Sequence, residues 1–217
     1  GFKVDLLYTV PKEEQGSWVA LTIDHKGRLI AGDQYGSLYR ITLPGTNSTA
    51  GTKVERLAVT LPSVSTKPDY NADMKEDTPK KGNKAAAELP AIGAHGLLYA
   101  FDSLYVMVGE VANKRGLWRL RDTDGDDQYD QVEFLREMKG GGEHGPHSLA
   151  LSPDGKSIYF ANGNHTDLPE HLDKSRPVRW DEDHLLPRMW DARGHAKNKY
   201  SPGGYIARTD PAGKSVE

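Results

Sequence analysis

One order of short segments recurs three times along the chain, and this recurrence limits the possible folds more than any other feature of the sequence. The first segment of each copy reads SWVALTID (17–24), HGLLYAFD (95–102) or HSLALSPD (147–154), an apolar alternation ending on an Asp turn. The second reads RLIAGD (28–33), SLYVMVGE (103–110) or SIYFANGN (157–164), again with a period of two. The third, GSLYRI (36–41), GLWRL (116–120) or GYIAR (204–208), opens on Gly and carries an aromatic residue and an Arg. A fourth closes each copy as VERL (54–57), VEFL (132–135) and a truncated SVE (215–217).

Four short antiparallel strands per unit, repeated with variable insertions, predict an all-β chain built as blades of a β-propeller. A sandwich is not expected to repeat one order of turn chemistry; chance recurrence among short strands is the competing explanation. Propellers close with about 4–8 blades, so three copies predict the N-terminal part of one propeller domain over residues 1–217. Blade 1 spans about 16–57, an insertion 58–92, blade 2 about 93–135, and blade 3 about 145–217 with an insertion at 165–203. Strand direction then sorts the loops. Ser17, His95 and His147, at first-strand starts, share a face with Asp33, Glu110, Asn162, Asn164 and His165, at second-strand ends. Loops between third and fourth strands fall on the opposite face.

Both insertions overhang the histidine face. Residues 58–92 are rich in Pro, Lys, Asp and Glu, as in an exposed loop, with a helical turn expected at 84–88. Residues 165–203 carry Trp180, Trp190, Tyr200 and four histidines, a mixture suited either to binding or to a lid packed through its tryptophans.

Composition removes several function classes. With 28 Lys and Arg against 31 Asp and Glu among 217 residues, the net charge of -3 argues against a polybasic nucleic-acid binder. The absence of cysteine excludes thiol catalysis, thiolate-held zinc, iron–sulfur clusters and covalent haem within this chain. No apolar stretch approaches the ~18 residues of a membrane span. The opening run, residues 1–7, is polar and strand-like rather than a signal peptide. Two sequons, at Asn47 and Asn164, are triplets common by chance.

DTDGDDQYD (122–130) carries Asp122, Asp124, Asp126 and Asp130 at loop positions 1, 3, 5 and 9, with Gln128 at 7 and Glu133 at 12. Hard cations such as calcium take about six to eight oxygens, which alternating carboxylates and a backbone carbonyl supply. Position 6, normally Gly, is Asp127, and no helices flank the loop. The expected role is a calcium staple on the face opposite the histidines; a solvated, metal-free hairpin is the alternative.

GGGEHGPHSLALSPDG (140–155) delivers Glu143, His144 and His147 to the start of an innermost strand behind three glycines, which allow close backbone approach. An imidazole at a channel mouth can serve as a general base near neutral pH, and Glu143 can orient it. His95 holds the equivalent place one blade earlier. The alternative is a set of imidazoles that merely bond blade to blade.

At this point GEHGPHSLALSPDGKSIYFANGNH resembles the strand-and-turn signature of the soluble quinoprotein glucose/sorbosone dehydrogenases. GLWRLRDTDGDDQYDQVEFL resembles the propeller domain of the large "membrane-bound dehydrogenase" proteins of planctomycetes and verrucomicrobia. The resemblance covers nearly the whole chain. It implies a six-bladed propeller, a periplasmic or secreted location, calcium, and pyrroloquinoline quinone at the channel mouth. It also implies a histidine, by position His147, that removes a substrate hydroxyl proton, and a cytochrome c segment as electron acceptor. The cationic residues that grip the quinone's carboxylates belong to later blades of the family pattern, so remaining blades from the same or another chain are implied as partners. Arg176, Arg179, Arg188 and Arg193 lie in an insertion the smaller quinoproteins do not share, and no role is carried over to them.

Three functions compete. A sugar or alcohol dehydrogenase would use His147 as base, with Glu143, His144 and His95 shaping the site. A lactonase-type hydrolase would hold a metal through groups such as Glu110, Asn162 and Asn164. A non-catalytic propeller would bind a glycan or protein through Trp180, Trp190 and the overhanging loops.

Overall fold

A computed structural model of the chain describes residues 1–2, 4–45, 51–61, 92–109, 114–140, 144–169, 171–173, 189–190, 200–201 and 204–217. The described residues are nearly all strand and turn, in three antiparallel sheets and one short ribbon.

Sheet one runs in the order β1 (Trp18–Ile23), β2 (Leu29–Asp33), β3 (Leu38–Thr42), β4 (Lys53–Arg56). Sheet two repeats it with β5 (Ala94–Ala100), β6 (Ser103–Val108), β7 (Gly116–Arg121) and β8 (Gln131–Glu137). Sheet three contains β9 (Pro146–Leu151), β10 (Ile158–Asn162) and β13 (Tyr205–Thr209). Each expected segment of the first two copies is thus a strand of a four-stranded meander. In the third copy, SVE is not a strand. Its Glu217 instead exchanges a reciprocal pair of backbone hydrogen bonds with Arg208 of β13, at 2.7 and 3.0 Å, which begins a fourth edge. The ribbon, β11 (Met189–Trp190) with β12 (Tyr200–Ser201), lies inside the 165–203 insertion, where no strands were expected.

Local chemistry sets the turns. Asp24 Oδ1 accepts the N–H groups of Lys26 and Arg28, at 2.9 and 2.8 Å, and so closes the β1–β2 turn with its own side chain. Between β5 and β6, Phe101 and Asp102 both take positive φ, 51° and 50°, as a two-residue hairpin turn requires.

The sheets stack face to face around the central one. Along β6, Leu104, Val106 and Val108 point into a core shared with Ile30 and Leu38 of sheet one, while Tyr105 and Met107 point into a second core with Ile158, Phe160 and Ala207 of sheet three. Period-two alternation with both faces buried produces this division. The first strands lie side by side, β5 packing against both β1 and β9.

Two expectations change. Residues 1–7 form no strand among the described residues, and Phe2, Val4 and Leu6 are exposed. The Leu7 carbonyl accepts the Thr52 hydroxyl at 2.7 Å just ahead of β4, and Tyr8 stacks on Trp18, which stacks on Tyr39 over the outer face of sheet one. The 58–92 insertion is not exposed from its outset: Val59, Leu61 and Ile92 are buried in the first core. Residues 62–91, including the expected helical turn, lie outside the described residues.

Candidate functional site

Antiparallel pairing puts the starts of first strands beside the ends of second strands. Trp18 pairs with Asp33, Ala94 with Val108 and Pro146 with Asn162. The turns between third and fourth strands project from the opposite end. The chain therefore has an imidazole end and an acidic end, as the loop sorting predicts.

At the imidazole end of sheet one, Asp33 Oδ1 accepts the Ser17 N–H at 2.9 Å, and burial raises the pKa of this carboxyl. At the same end of the interface between sheets two and three, the rings of His95 and His147 stack with centroids 5.2 Å apart and planes at 21°. Their Nδ1 atoms are 3.4 Å apart. His95 is 8% exposed, and burial followed by repulsion from His147 pulls its pKa down to about 4. His95 is therefore neutral at pH 7, and its Nε2 is buried with no hydrogen-bond partner among the described residues.

A second imidazole pair stands in the flanking loops. His144 donates through Nδ1 to Asn164 Oδ1 at 3.0 Å, and its ring lies 5.0 Å from that of His165. The His165 N–H in turn donates to the His144 carbonyl at 3.0 Å. Glycines permit this crowding. A Cβ at Gly96 would collide with the His147 carbonyl oxygen, and one at Gly140, where φ is +137°, with the His165 carbonyl oxygen. Glu143, Glu110 and Trp180 lie outside the described residues, and Trp190 is placed by its backbone alone.

No family model, curated protein or solved structure matches this chain.

At the acidic end, Asp122, Asp124 and Asp130 each bring one carboxylate oxygen within 4.8 Å of the others. Backbone donors hold them there. Asp122 accepts the N–H groups of Gly125 and Asp127 at 2.7 and 2.9 Å. Asp130 accepts the hydroxyl and the N–H of Thr123, which hold its pKa below the usual carboxylate range. A trio of hard oxygen donors fits a calcium-type cation as part of its shell. Of the other expected ligands, Asp126 accepts the Gln128 N–H at 2.8 Å, and Glu133 sits opposite Arg119 in the β7–β8 register and accepts its Nε–H at 2.8 Å. Arg121 approaches the same Glu133 oxygen at 3.4 Å.

Asp127, the residue at loop position 6, has a task that its sequence position did not reveal. Its φ of +73° turns the carboxylate away from the trio and toward sheet one. There it forms a two-point ion pair with Arg28, with Lys26 at 3.0 Å and Arg40 at 3.6 Å. Its carbonyl accepts Arg40 Nη2 at 2.7 Å. These cations, Arg28 foremost, hold the Asp127 carboxyl far below the usual range. The signal available in the sequence was a charged residue at the one loop position that ordinarily has no side chain.

Proposed function

We propose that the chain forms part of a β-propeller of the quinoprotein dehydrogenase type, which removes a proton from a sugar or alcohol hydroxyl at the imidazole end and carries a calcium-binding turn at the other. The observation that carries this reading is the stacked His95–His147 pair at the starts of two adjacent first strands. Face-to-face sheets with first strands side by side support the propeller.

The pair suits proton transfer. His95 is neutral and buried, so its Nδ1 is available to accept from the Nδ1–H of His147. That fixes the His147 tautomer and leaves proton acceptance to its Nε2. A base in this position takes the hydroxyl proton as the carbon loses hydride to an acceptor. The His144–Asn164 bond fixes a second imidazole in the same sense.

Pyrroloquinoline quinone, the acceptor implied by the resemblance, carries carboxylates that call for cations. Among the described residues this end offers imidazoles, carboxamides, a threonine hydroxyl, the Asp33 carboxyl and one guanidinium, Arg115, whose Nη1 donates to the Gly140 carbonyl at 3.3 Å, fewer cations than the carboxylates of the quinone call for. The proton-accepting half of the reaction is what these residues perform, and no further step is assigned to them.

The test is an anaerobic titration of the full, calcium-loaded chain with pyrroloquinoline quinone, followed by sugar and a dye acceptor. Sugar-dependent quinone reduction that His147→Ala abolishes is expected. Quinone binding without reduction, or reduction unchanged in His147→Ala, would overturn the proposal.

A further inference from the structure

Three polar atoms at the interface between sheets two and three are buried without partners among the described residues: His95 Nε2 and both Nδ2 and Oδ1 of Asn162. The residues are 8% and 5% exposed. Folded chains keep few such groups, because an unpaired buried donor or acceptor costs the hydration it has lost. A carboxamide with neither end satisfied is the more unusual of the two.

The strand pairing brings the two residues to one end of this interface. Asn162 ends β10 on the side that carries Phe160 and Ile158 into the second core, toward Tyr105 and Met107 of the central sheet. Its ladder partner is Pro146, immediately before His147. Gly109 follows β6 beside that proline, and a Cβ there would lie 3.1 Å from the Pro146 oxygen and 3.6 Å from the His95 ring. The unpaired imidazole nitrogen and the unpaired carboxamide thus belong to the same end of the same interface, next to His147.

We infer that Asn162 and His95 form a hydroxyl-binding subsite for an uncharged polyol, with Asn162 as a residue that determines specificity. A carboxamide donates through nitrogen and accepts through oxygen, and a hydroxyl does both with one atom. Neighbouring sugar hydroxyls would occupy both ends of Asn162 and the His95 nitrogen together. None of the three atoms carries a formal charge at neutral pH, so a sugar acid or amino sugar would give up its hydration for no ionic compensation. The inference deepens the dehydrogenase reading and rests on it for the choice of a sugar. Buried water could satisfy the same atoms, and the experiment separates the two.

Thermal melts of the full chain would be recorded against D-glucose, gluconate and glucosamine for wild type, Asn162→Leu and His95→Phe. The leucine removes both polar atoms at similar size, and the phenylalanine keeps a ring against His147. Expected are a glucose-dependent rise in Tm in wild type, weaker or absent with the charged sugars. In each variant the midpoint in glucose should move at least about tenfold higher, the factor carried by about one hydrogen bond. Without sugar, Asn162→Leu should melt at or above wild type. A lower Tm with an unchanged glucose midpoint would assign Asn162 to a buried water and overturn the inference, as would no glucose response in wild type. Glucose binding lost in Asn162→Leu, without quinone reduction in wild type, would keep the subsite and remove the dehydrogenase. Reduction with an unchanged KM in Asn162→Leu would do the reverse.

Discussion

Replacing Asp127 by Asn tests whether sheets one and two are held by charge or only by their shared apolar core. Asparagine tolerates the same positive φ, so the variant removes the carboxylate charge without disturbing the turn. The cost follows from the surroundings. A partner removed from a fully buried pair costs about 3–5 kcal/mol, and one removed from an exposed pair about 0–1. Asp127 lies between, with its side chain 29% exposed, facing Arg28 at 16% and Arg40 at 3%. We expect a loss of about 2–3 kcal/mol, and with about 2–4 °C per kcal/mol for a chain of this size, Tm should fall by about 4–12 °C. The pH dependence has a definite sign. A carboxyl whose folded pKa is depressed contributes its full stability above the unfolded value, near 3.9, and loses it as pH falls toward the folded value. The difference between wild type and Asp127→Asn should be constant from about pH 5 upward and narrow by about 1 kcal/mol at pH 3. The assay is thermal unfolding followed by far-ultraviolet circular dichroism at pH 7 and pH 3, at fixed ionic strength with chelator present. A variant melting within about 1 °C of wild type at pH 7, or an equal difference at both pH values, would refute the clamp.

Three further outcomes are expected. Calcium at about 100 times its Kd should stabilise the chain by about 2.7 kcal/mol, and Asp124→Asn with Asp130→Asn should abolish this response in calorimetry; Glu133→Gln should preserve it, because Glu133 is engaged with Arg119. The His95 imidazole should titrate near pH 4 by nuclear magnetic resonance. Because its folded pKa lies below the unfolded value of about 6.5, the unfolded chain binds more protons between those values, so this residue should cost up to about 3 kcal/mol of stability as pH falls from 6.5 to 4, a slope that His95→Phe should flatten. Gly96→Ala should destabilise by about 1–3 kcal/mol, read as a lower Tm in thermal unfolding, since its methyl group would occupy the place of the His147 carbonyl.

Strand identity was legible because period-two alternation and Asp or Gly punctuation are local. SLYVMV became β6 with both faces buried, and the repeat order placed it at the centre of the stack. The meeting of His95 with His147 was legible for the same reason: equivalent positions in successive repeats become neighbours when first strands pack side by side. Interactions that join the end of one repeat to the side of another were not legible. The Asp127–Arg28 pair spans 99 residues, and nothing in either local pattern selects the other. The orphaned amide of Asn162 was equally hidden, because a sequence reveals which groups can bond but not which are left without a partner. Glu133 is a further case: loop spacing suggests a calcium ligand, and only the strand register reveals its pairing with Arg119.

The aromatic–Arg pair of the third segment gives this long-range logic a repeating form. In β3, Tyr39 faces away from sheet two, and Arg40 reaches the carbonyl of Asp127 in the turn after β7. In β7, Trp118 faces sheet one, and Arg119 reaches the carbonyl of Pro211 in the turn after β13, at 3.4 Å, where Tyr105 also donates at 2.8 Å. Each sheet thus uses the same residue to hold the same turn of the next. Because the acceptor is a backbone carbonyl, this contact does not depend on the side chains of the turn, and at sheet one the Asp127 carboxylate adds its ion pair with Arg28 to it. DTDGDDQYD gathers three carboxylates and DPAGKS carries one, Asp210, while each offers a carbonyl to the arginine of the preceding sheet. That independence frees the turns for variation and secures the sheets at the acidic end. It also explains how the opposite end can tolerate a buried neutral imidazole and an unpaired carboxamide: stability lost there is offset by charge-assisted contacts at the far end of the same interfaces.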